Sequence, residues 1–252
     1  MVSGLDVFRA HFAGFNDRYV LIGGTACDLA LSSSGLAFRA TKDLDIVLCL
    51  ETMDAEFARA FWAFVGAGGY AAQETGLGEQ RFYRFRKPTA PDYPAMLELF
   101  SRRPDVLGEI KGHLTPIPVG EEVPSLSAIL VDDDYYRWVQ DGRIIIDGVA
   151  VVRPEHLIPL KAKAWLDLTD RVAGGGGVDA KDIRKHKNDV FRLYAAVDPE
   201  YAAASPESIR EDMSRFIESV RGEAVDLKAL GLPNTDLSEV LDALGRRYVV
   251  TG

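Results

Sequence analysis

The sequence has only two cysteines, Cys27 and Cys49, among its 252 residues. They show neither metal-ligand spacing nor a secretory context, so two buried, reduced thiols are expected rather than a disulfide framework or a thiolate metal site. Positive charge is also scarce. Against 38 Asp and Glu there are 29 Lys and Arg, a formal net charge of −9. That balance argues against a broadly basic nucleic-acid surface, while leaving room for a local basic cleft. No apolar run approaches the length of a membrane span, and the opening MVSGLDVFRAHF lacks the basic-then-apolar pattern of a signal peptide. A cytoplasmic protein with no membrane partner is expected. The chain also lacks internal repeats. Its acidic run Asp132-Asp133-Asp134 has neither the alternating ligands nor the glycine of a calcium loop, and reads as a solvated turn.

What remains is ordinary globular material, 47% hydrophobic and 27% charged, long enough for one large domain or two small ones. Its most informative stretch runs from Tyr19 to Leu48. A buried strand over Tyr19 to Ile22 leads into Gly23-Gly24-Thr25 and a short helix, and a second strand follows with Asp43 and Asp45. Two residues apart on a strand place both carboxylates on one face, with Leu44, Ile46 and Leu48 directed into a core. Adjacent carboxylates repel, and a cation relieves that repulsion. Glycines at a helix start let a ligand approach the backbone, and the free N–H groups there suit phosphate. The stretch therefore describes a triphosphate cradle beside a divalent-metal site.

Around it, Leu5 to Phe15 and Asp54 to Gly66 carry helical stripes of Leu and Phe, with Asp54 as an N-cap. Arg81 to Lys87 reads as a strand with basic residues on both faces. Its arginines suit a solvated edge, and Arg84 or Arg86 facing substrate is the alternative. Ala95 to Phe100 reads as a strand in which Glu98 is a lone acid among apolar residues, a costly placement unless it is paired, edge-exposed or metal-bound. Ser101 to Gly120 reads as an irregular excursion, and Ile144 to Val152, with Asp147-Gly148 at its centre, as a hairpin. From residue 153 the pattern turns helical. A helix starts at Pro154, the stretch Ala173 to Gly177 with its four consecutive glycines interrupts, a second helix spans Asp179 to Val197, and others cover Ser205 to Val220 and Thr235 to Leu244. Between Glu155 and Arg192 there are eight Lys or Arg against six Asp or Glu, a modest local bias towards phosphate.

Gly23-Gly24-Thr25-Ala26, followed by Arg39-x-Thr41-x-Asp43-x-Asp45, resembles the nucleotidyltransferases of the DNA polymerase β superfamily, in particular the nucleotidyltransferase-like proteins of the AbiEii toxin family. The resemblance covers roughly the first two hundred residues. It implies an α+β fold, a mixed sheet flanked by helices over residues 1–152, followed by a helical bundle over 153–252 that closes the active-site cleft. It implies an enzyme that moves a nucleotide from an NTP to an acceptor, using Mg²⁺ in a two-metal site, with Mn²⁺ an alternative ion. Asp43, Asp45 and Glu98 would be the metal ligands. Gly23, Gly24 and Thr25 would hold the phosphates. Arg39 and Thr41 would bind nucleotide or, more simply, brace the two aspartates. Lys161 and Lys185 would neutralise charge on the leaving pyrophosphate, and Asp189 would orient Lys185 or a substrate group. The family's Lys-Asp-x-x-Asp-Leu becomes Lys185-His186-Lys187-Asn188-Asp189-Val190, so the first acid of that motif is replaced by His186. The acceptor implied is tRNA or another cellular macromolecule, with a cognate antitoxin as partner. A small hydroxylated molecule such as an antibiotic is the second reading, and a nucleotide-binding module without turnover is the third.

Overall fold

The structure is a computed structural model and describes residues 3–72, 83–105, 114–117, 126–201 and 204–250. The chain divides into two compact units, one of Met1–Leu29 with Ala37–Val152, the other of Ala30–Leu36 with Arg153–Gly252.

The first unit is built on a mixed sheet. Strand β1 (Tyr19–Ile22) enters helix α2 (Gly23–Ser33), and β2 (Asp43–Leu48) returns antiparallel to β1 with Ile22 opposite Asp45. Leu44, Ile46 and Leu48 are fully buried, whereas Asp43 and Asp45 keep partial exposure, as the two-residue period requires. Helices α1 (Leu5–His11) and α3 (Ala55–Gly68) bring aromatic side chains to the sheet. Phe8, Phe12, Tyr19, Phe57, Phe61 and Phe64 pack in mutual ring contacts, among them Phe8 against Tyr19 edge-on at 5.2 Å. Helix α3 is fixed at both ends. The Asp54 carboxylate accepts the Phe57 N–H at 2.8 Å, and Gly69 closes the helix at φ 61°.

Strands β3 (Ala71–Ala72), β4 (Arg84–Arg86) and β5 (Met96–Ser101) continue the sheet, followed by β6 (Leu114–Ile117), β7 (Leu126–Leu130), β8 (Arg143–Ile146) and β9 (Val149–Val152). Among the described residues the strand order is β3-β4-β5-β2-β1-β9-β8, with β6 attached through β7 to the end of β5. The neighbours β2 and β5 run parallel, as do β1 and β9, while the hairpins run antiparallel. Asp147 and Gly148 turn the β8–β9 hairpin with φ of 48° and 79°, the left-handed pair that a two-residue turn needs.

Two expectations change in this unit. The acidic run at 132–134 is a helix start rather than a solvated turn. Asp132 caps α4 (Asp133–Asp141) by accepting the Asp134 N–H at 2.9 Å, and the acids that follow complement the positive end of the helix. The excursion after Ser101 contains β6, which pairs with β7 rather than looping through solvent. Arg81 and Phe82 lie outside the described residues.

The second unit is helical. Helices α5 (Pro154–Ala173), α6 (Ala180–Tyr194), α7 (Glu207–Val220) and α8 (Leu237–Tyr248) pack around Leu157, Trp165, Phe191, Phe216 and Leu244. Pro206 occupies the N-cap of α7. Inside α5, Pro159 has no N–H to give the carbonyl of Glu155. The Tyr248 hydroxyl donates to that carbonyl instead, at 2.7 Å, and burial pushes the Tyr248 phenol far above its usual range. The Glu155 side chain, 2% exposed, takes the Asp198 N–H and pairs with Arg153. No described helix is long and apolar enough to cross a membrane.

Candidate active site

The Gly-Gly and Asp-x-Asp motifs meet at the ends of β1 and β2. Gly23 has φ 68°, and a β-carbon there would collide with the carboxylate of Asp45. At Gly24 a β-carbon would stand 2.8 Å from the Thr41 hydroxyl oxygen and 3.7 Å from a guanidinium nitrogen of Arg39. Both glycines are therefore required by the approach of side chains from the second motif, beyond any ligand they hold. Thr25, fully buried, donates its hydroxyl to the carbonyl of Asp43 at 2.9 Å. This bond ties the first turn of α2 to the residue that opens the acid pair. Gly23, Gly24, Thr25, Arg39, Thr41, Asp43 and Asp45 are thus one constellation.

Strand pairing adds two rows on the same sheet face, because directly opposed residues of neighbouring strands share a face. In the first row Asp45 of β2 is opposite Glu98 of β5, and Glu98 is opposite Arg84 of β4. In the second, Asp43 is opposite Met96, and Met96 is opposite Arg86. Glu98 therefore stands one strand spacing from Asp45, about 4.8 Å between backbones. It is also ion-paired with Arg84, the two side chains being 12% and 25% exposed. Arg84 and Arg86 lie on the acid-bearing face together, as their spacing of two requires, with Phe85 buried behind them. Only the chain's pairing register, not its spacing, could reveal that Arg84 is the partner of Glu98.

The donor set suits a hard divalent cation in kind: Asp43 and Asp45 offer carboxylate oxygens from one face, and Mg²⁺ needs only one or two carboxylates when phosphate supplies the rest. Among the described residues, however, no three carboxylate, His or Cys side chains converge as a metal cluster. Arg84 holds Glu98 in a competing ion pair, so the third ligand of the expected set is engaged elsewhere.

In the helical unit, Lys161 on α5 and Asp189 on α6 are 5% and 0% exposed and lie 3.6 Å apart. Arg192 reaches the other oxygen of Asp189 at 3.3 Å. The expected pairing of Asp189 with Lys185 gives way to this arrangement: Lys185, at 35% exposure, lies 3.6 Å from Asp182 one turn earlier on its own helix. The register of α5 against α6 decides the partner, which helical spacing within α6 alone does not.

No protein-family model matches the sequence, and no curated protein matches it. Solved structures do. The Megavirus polyadenylate synthase matches with a TM-score of 0.40 at 10% identity over 87% of this chain, which spans only 36% of that one. A protein of H. pylori provisionally described as a nucleotidyltransferase matches with a TM-score of 0.34 at 16% identity, over 97% of this chain and 91% of that one. JHP933 from Helicobacter pylori gives a TM-score of 0.33 at 17% identity, over 97% and 88% of the two chains. At such low TM-scores none of these likenesses bears on the site, whose reading rests on the geometry above.

Proposed function

We propose that the protein is a Mg²⁺-dependent nucleotidyltransferase that moves a nucleoside monophosphate from an NTP to an acceptor hydroxyl. The observation that carries this reading is the seating of the Asp45 carboxylate in the space left by the missing side chain of Gly23. A helix start that receives phosphate and an acid that receives cation are there in direct apposition.

Mg²⁺, when bound by Asp43 and Asp45, would offset charge on the α-phosphate and on the departing pyrophosphate. The N–H groups at the start of α2 take the β- and γ-phosphates, and Thr25 keeps that turn fixed against β2. Arg39 and Thr41 brace the Gly24 side of the constellation. An acceptor oxygen attacks the α-phosphorus, forming one P–O bond while the bond to the β-phosphate oxygen breaks. Pyrophosphate leaves with that electron pair, and the acceptor's proton passes to a carboxylate of the acid pair. Glu98 joins the acid pair once it is released from Arg84. In the helical unit Lys185 is partly exposed, whereas Lys161 is held in the buried pair with Asp189.

Within this class the favoured assignment is a toxin-like enzyme of the AbiEii kind, acting on tRNA or another cellular target in the cytoplasm and held in check by an antitoxin. Its support is the order of sequence motifs together with the Lys-rich helix α6. Transfer to a small hydroxylated molecule is the second assignment, favoured by the net charge of −9. The test is incubation with each α-³²P-labelled NTP and Mg²⁺, offering total tRNA, cell lysate or an antibiotic panel as acceptors, with Asp43→Ala as control. Label transferred by the wild type alone is the expected result, and the labelled acceptor decides between the two assignments. Triphosphate binding without transfer to any acceptor would leave a non-catalytic nucleotide-binding module.

A further inference from the structure

Beside Asp43 the first unit opens a cavity of about 570 Å³. Its wall includes Lys42, Asp43, Arg86, Lys87, Tyr93 and Met96. The depression is open to solvent, and its volume is within the range of small-ligand sites. Among the described residues, no ion pair joins Lys42, Arg86 or Lys87 to a carboxylate, so three cations face one cavity in a chain of net charge −9. Arg86 is held on the sheet face by its contact with the Met96 sulfur at 3.4 Å. Lys87 has φ 53° although it is not glycine and precedes Pro88, a strained backbone that costs on the order of 1–3 kcal/mol and persists only where its surroundings fix it.

Strand order decides which ligand the cavity takes. Gly23 and Gly24 follow β1, on one side of β2, whereas Met96 and Arg86 belong to β5 and β4, on the other. The acid pair on β2 thus has the phosphate-receiving helix start on one flank and the cationic cavity on the opposite flank. We infer that this cavity binds the acceptor, and that the acceptor carries a phosphate group recognised by Lys42, Arg86 and Lys87 while its hydroxyl faces Asp43. The inference rests on the nucleotidyl-transfer reading and narrows its acceptor to phosphorylated compounds. A free sugar phosphate and the end of a nucleic-acid strand share that chemistry.

The test is equilibrium binding to the full chain with Mg²⁺ and a saturating α,β-methylene NTP, titrating ribose, ribose 5-phosphate and a hexa-adenylate oligoribonucleotide in turn. The expected result is that a phosphate-bearing ligand binds alongside the triphosphate analogue, about tenfold or more tighter than ribose, a factor typical of charge-assisted hydrogen bonds. That preference should weaken with added salt and vanish in the Arg86→Gln/Lys87→Asn double variant, in which Asn is chosen because it tolerates the left-handed backbone. Binding of ribose 5-phosphate assigns a small acceptor, and binding of the oligonucleotide alone assigns a strand end. Four results would overturn the inference: no phosphate-bearing ligand binding, equal binding of ribose and ribose 5-phosphate, a preference that survives the double substitution, or competition between the phosphorylated ligand and the triphosphate analogue. If the chain binds no triphosphate analogue yet still prefers the phosphorylated ligand, the transfer reading itself fails and the cavity loses its acceptor role.

Discussion

Arg84 and Glu98 oppose each other across β4 and β5 and are joined by an ion pair, while on its other side Glu98 opposes Asp45 across β5 and β2. The arginine therefore occupies the carboxylate that a two-metal site would use. Arg84→Ala leaves Glu98, 12% exposed, with like charge on one side and no cation on the other. The expected outcome is a loss of about 1–3 kcal/mol in stability without metal, and a larger stabilisation by Mg²⁺ than the wild type shows. Thermal melts of both proteins in EDTA and in Mg²⁺ check this. Equal responses to the ion would remove Glu98 from the ligand set.

Gly23→Ala forces a side chain into the left-handed region and into the Asp45 carboxylate. Strain alone costs about 1–2 kcal/mol, and the collision adds to it. Only the collision depends on Asp45. Urea titrations of Gly23→Ala, Asp45→Ala and the double variant should therefore show the glycine substitution to be less damaging when Asp45 is absent. Additive effects would mean that the close approach of the two motifs is not what selects glycine.

The Lys161–Asp189 pair separates a structural from a catalytic lysine. Asp189→Leu alone leaves Lys161 a buried charge without this carboxylate and should cost about 3–5 kcal/mol; Lys161→Met leaves Asp189 its contact with Arg192 and should cost less, and the double variant should recover most of the loss seen in Asp189→Leu. If Lys161 also acts on pyrophosphate, the refolded double variant stays inactive in the label-transfer assay. Recovery of activity along with stability would assign the pair to folding alone.

Asp54 gives the fold an acid-sensitive joint. The Phe57 N–H, and then the Arg18 guanidinium at 2.9 Å, hold its carboxyl below the usual carboxylate range. A depressed folded value means that this contribution is complete above the unfolded value of about 3.9 and is lost progressively below it, as pH falls through the lower folded value. Asp54→Ala should lose about 1 kcal/mol at neutral pH, as N-cap truncations do. In urea midpoints measured from pH 7 down to pH 3, the gap between the two proteins should hold steady to about pH 4 and narrow below it. A gap that stays constant over that range would leave only the packing of the cap.

Much of this arrangement is legible in the residues because it depends on local periods. The alternation in Asp43 to Leu48 fixes which side chains face the core, the Asp147-Gly148 pair specifies its hairpin, and Glu98 is conspicuous as an acid in an apolar strand. What escapes is set by pairing between distant segments. Nothing within Arg81 to Lys87 says that Arg84 will face Glu98, and nothing within α6 says that Asp189 will turn to Lys161 on α5. The acidic run at 132–134 was ambiguous for another reason: three acids suit both a solvated turn and the positive end of a helix, and the buried Tyr135, Tyr136, Trp138 and Val139 that follow decide for the helix. Lys42 and Lys87 carry no motif at all, and only the cavity beside Asp43 brings them together.

The most direct measurement is calorimetric titration of the full chain with an NTP analogue, with and without Mg²⁺, for the wild type and for Asp45→Asn. Replacing a carboxylate by its isosteric amide keeps the shape beside Gly23 and removes the charge that would attract a cation. The expected result is Mg²⁺-dependent binding by the wild type, and at least about a tenfold weaker affinity in a variant that melts at or above the wild-type temperature, since carboxylate repulsion is relieved. Binding that ignores Mg²⁺, or that survives Asp45→Asn undiminished, would contradict the assignment of the Gly23–Asp45 constellation as a metal–triphosphate site.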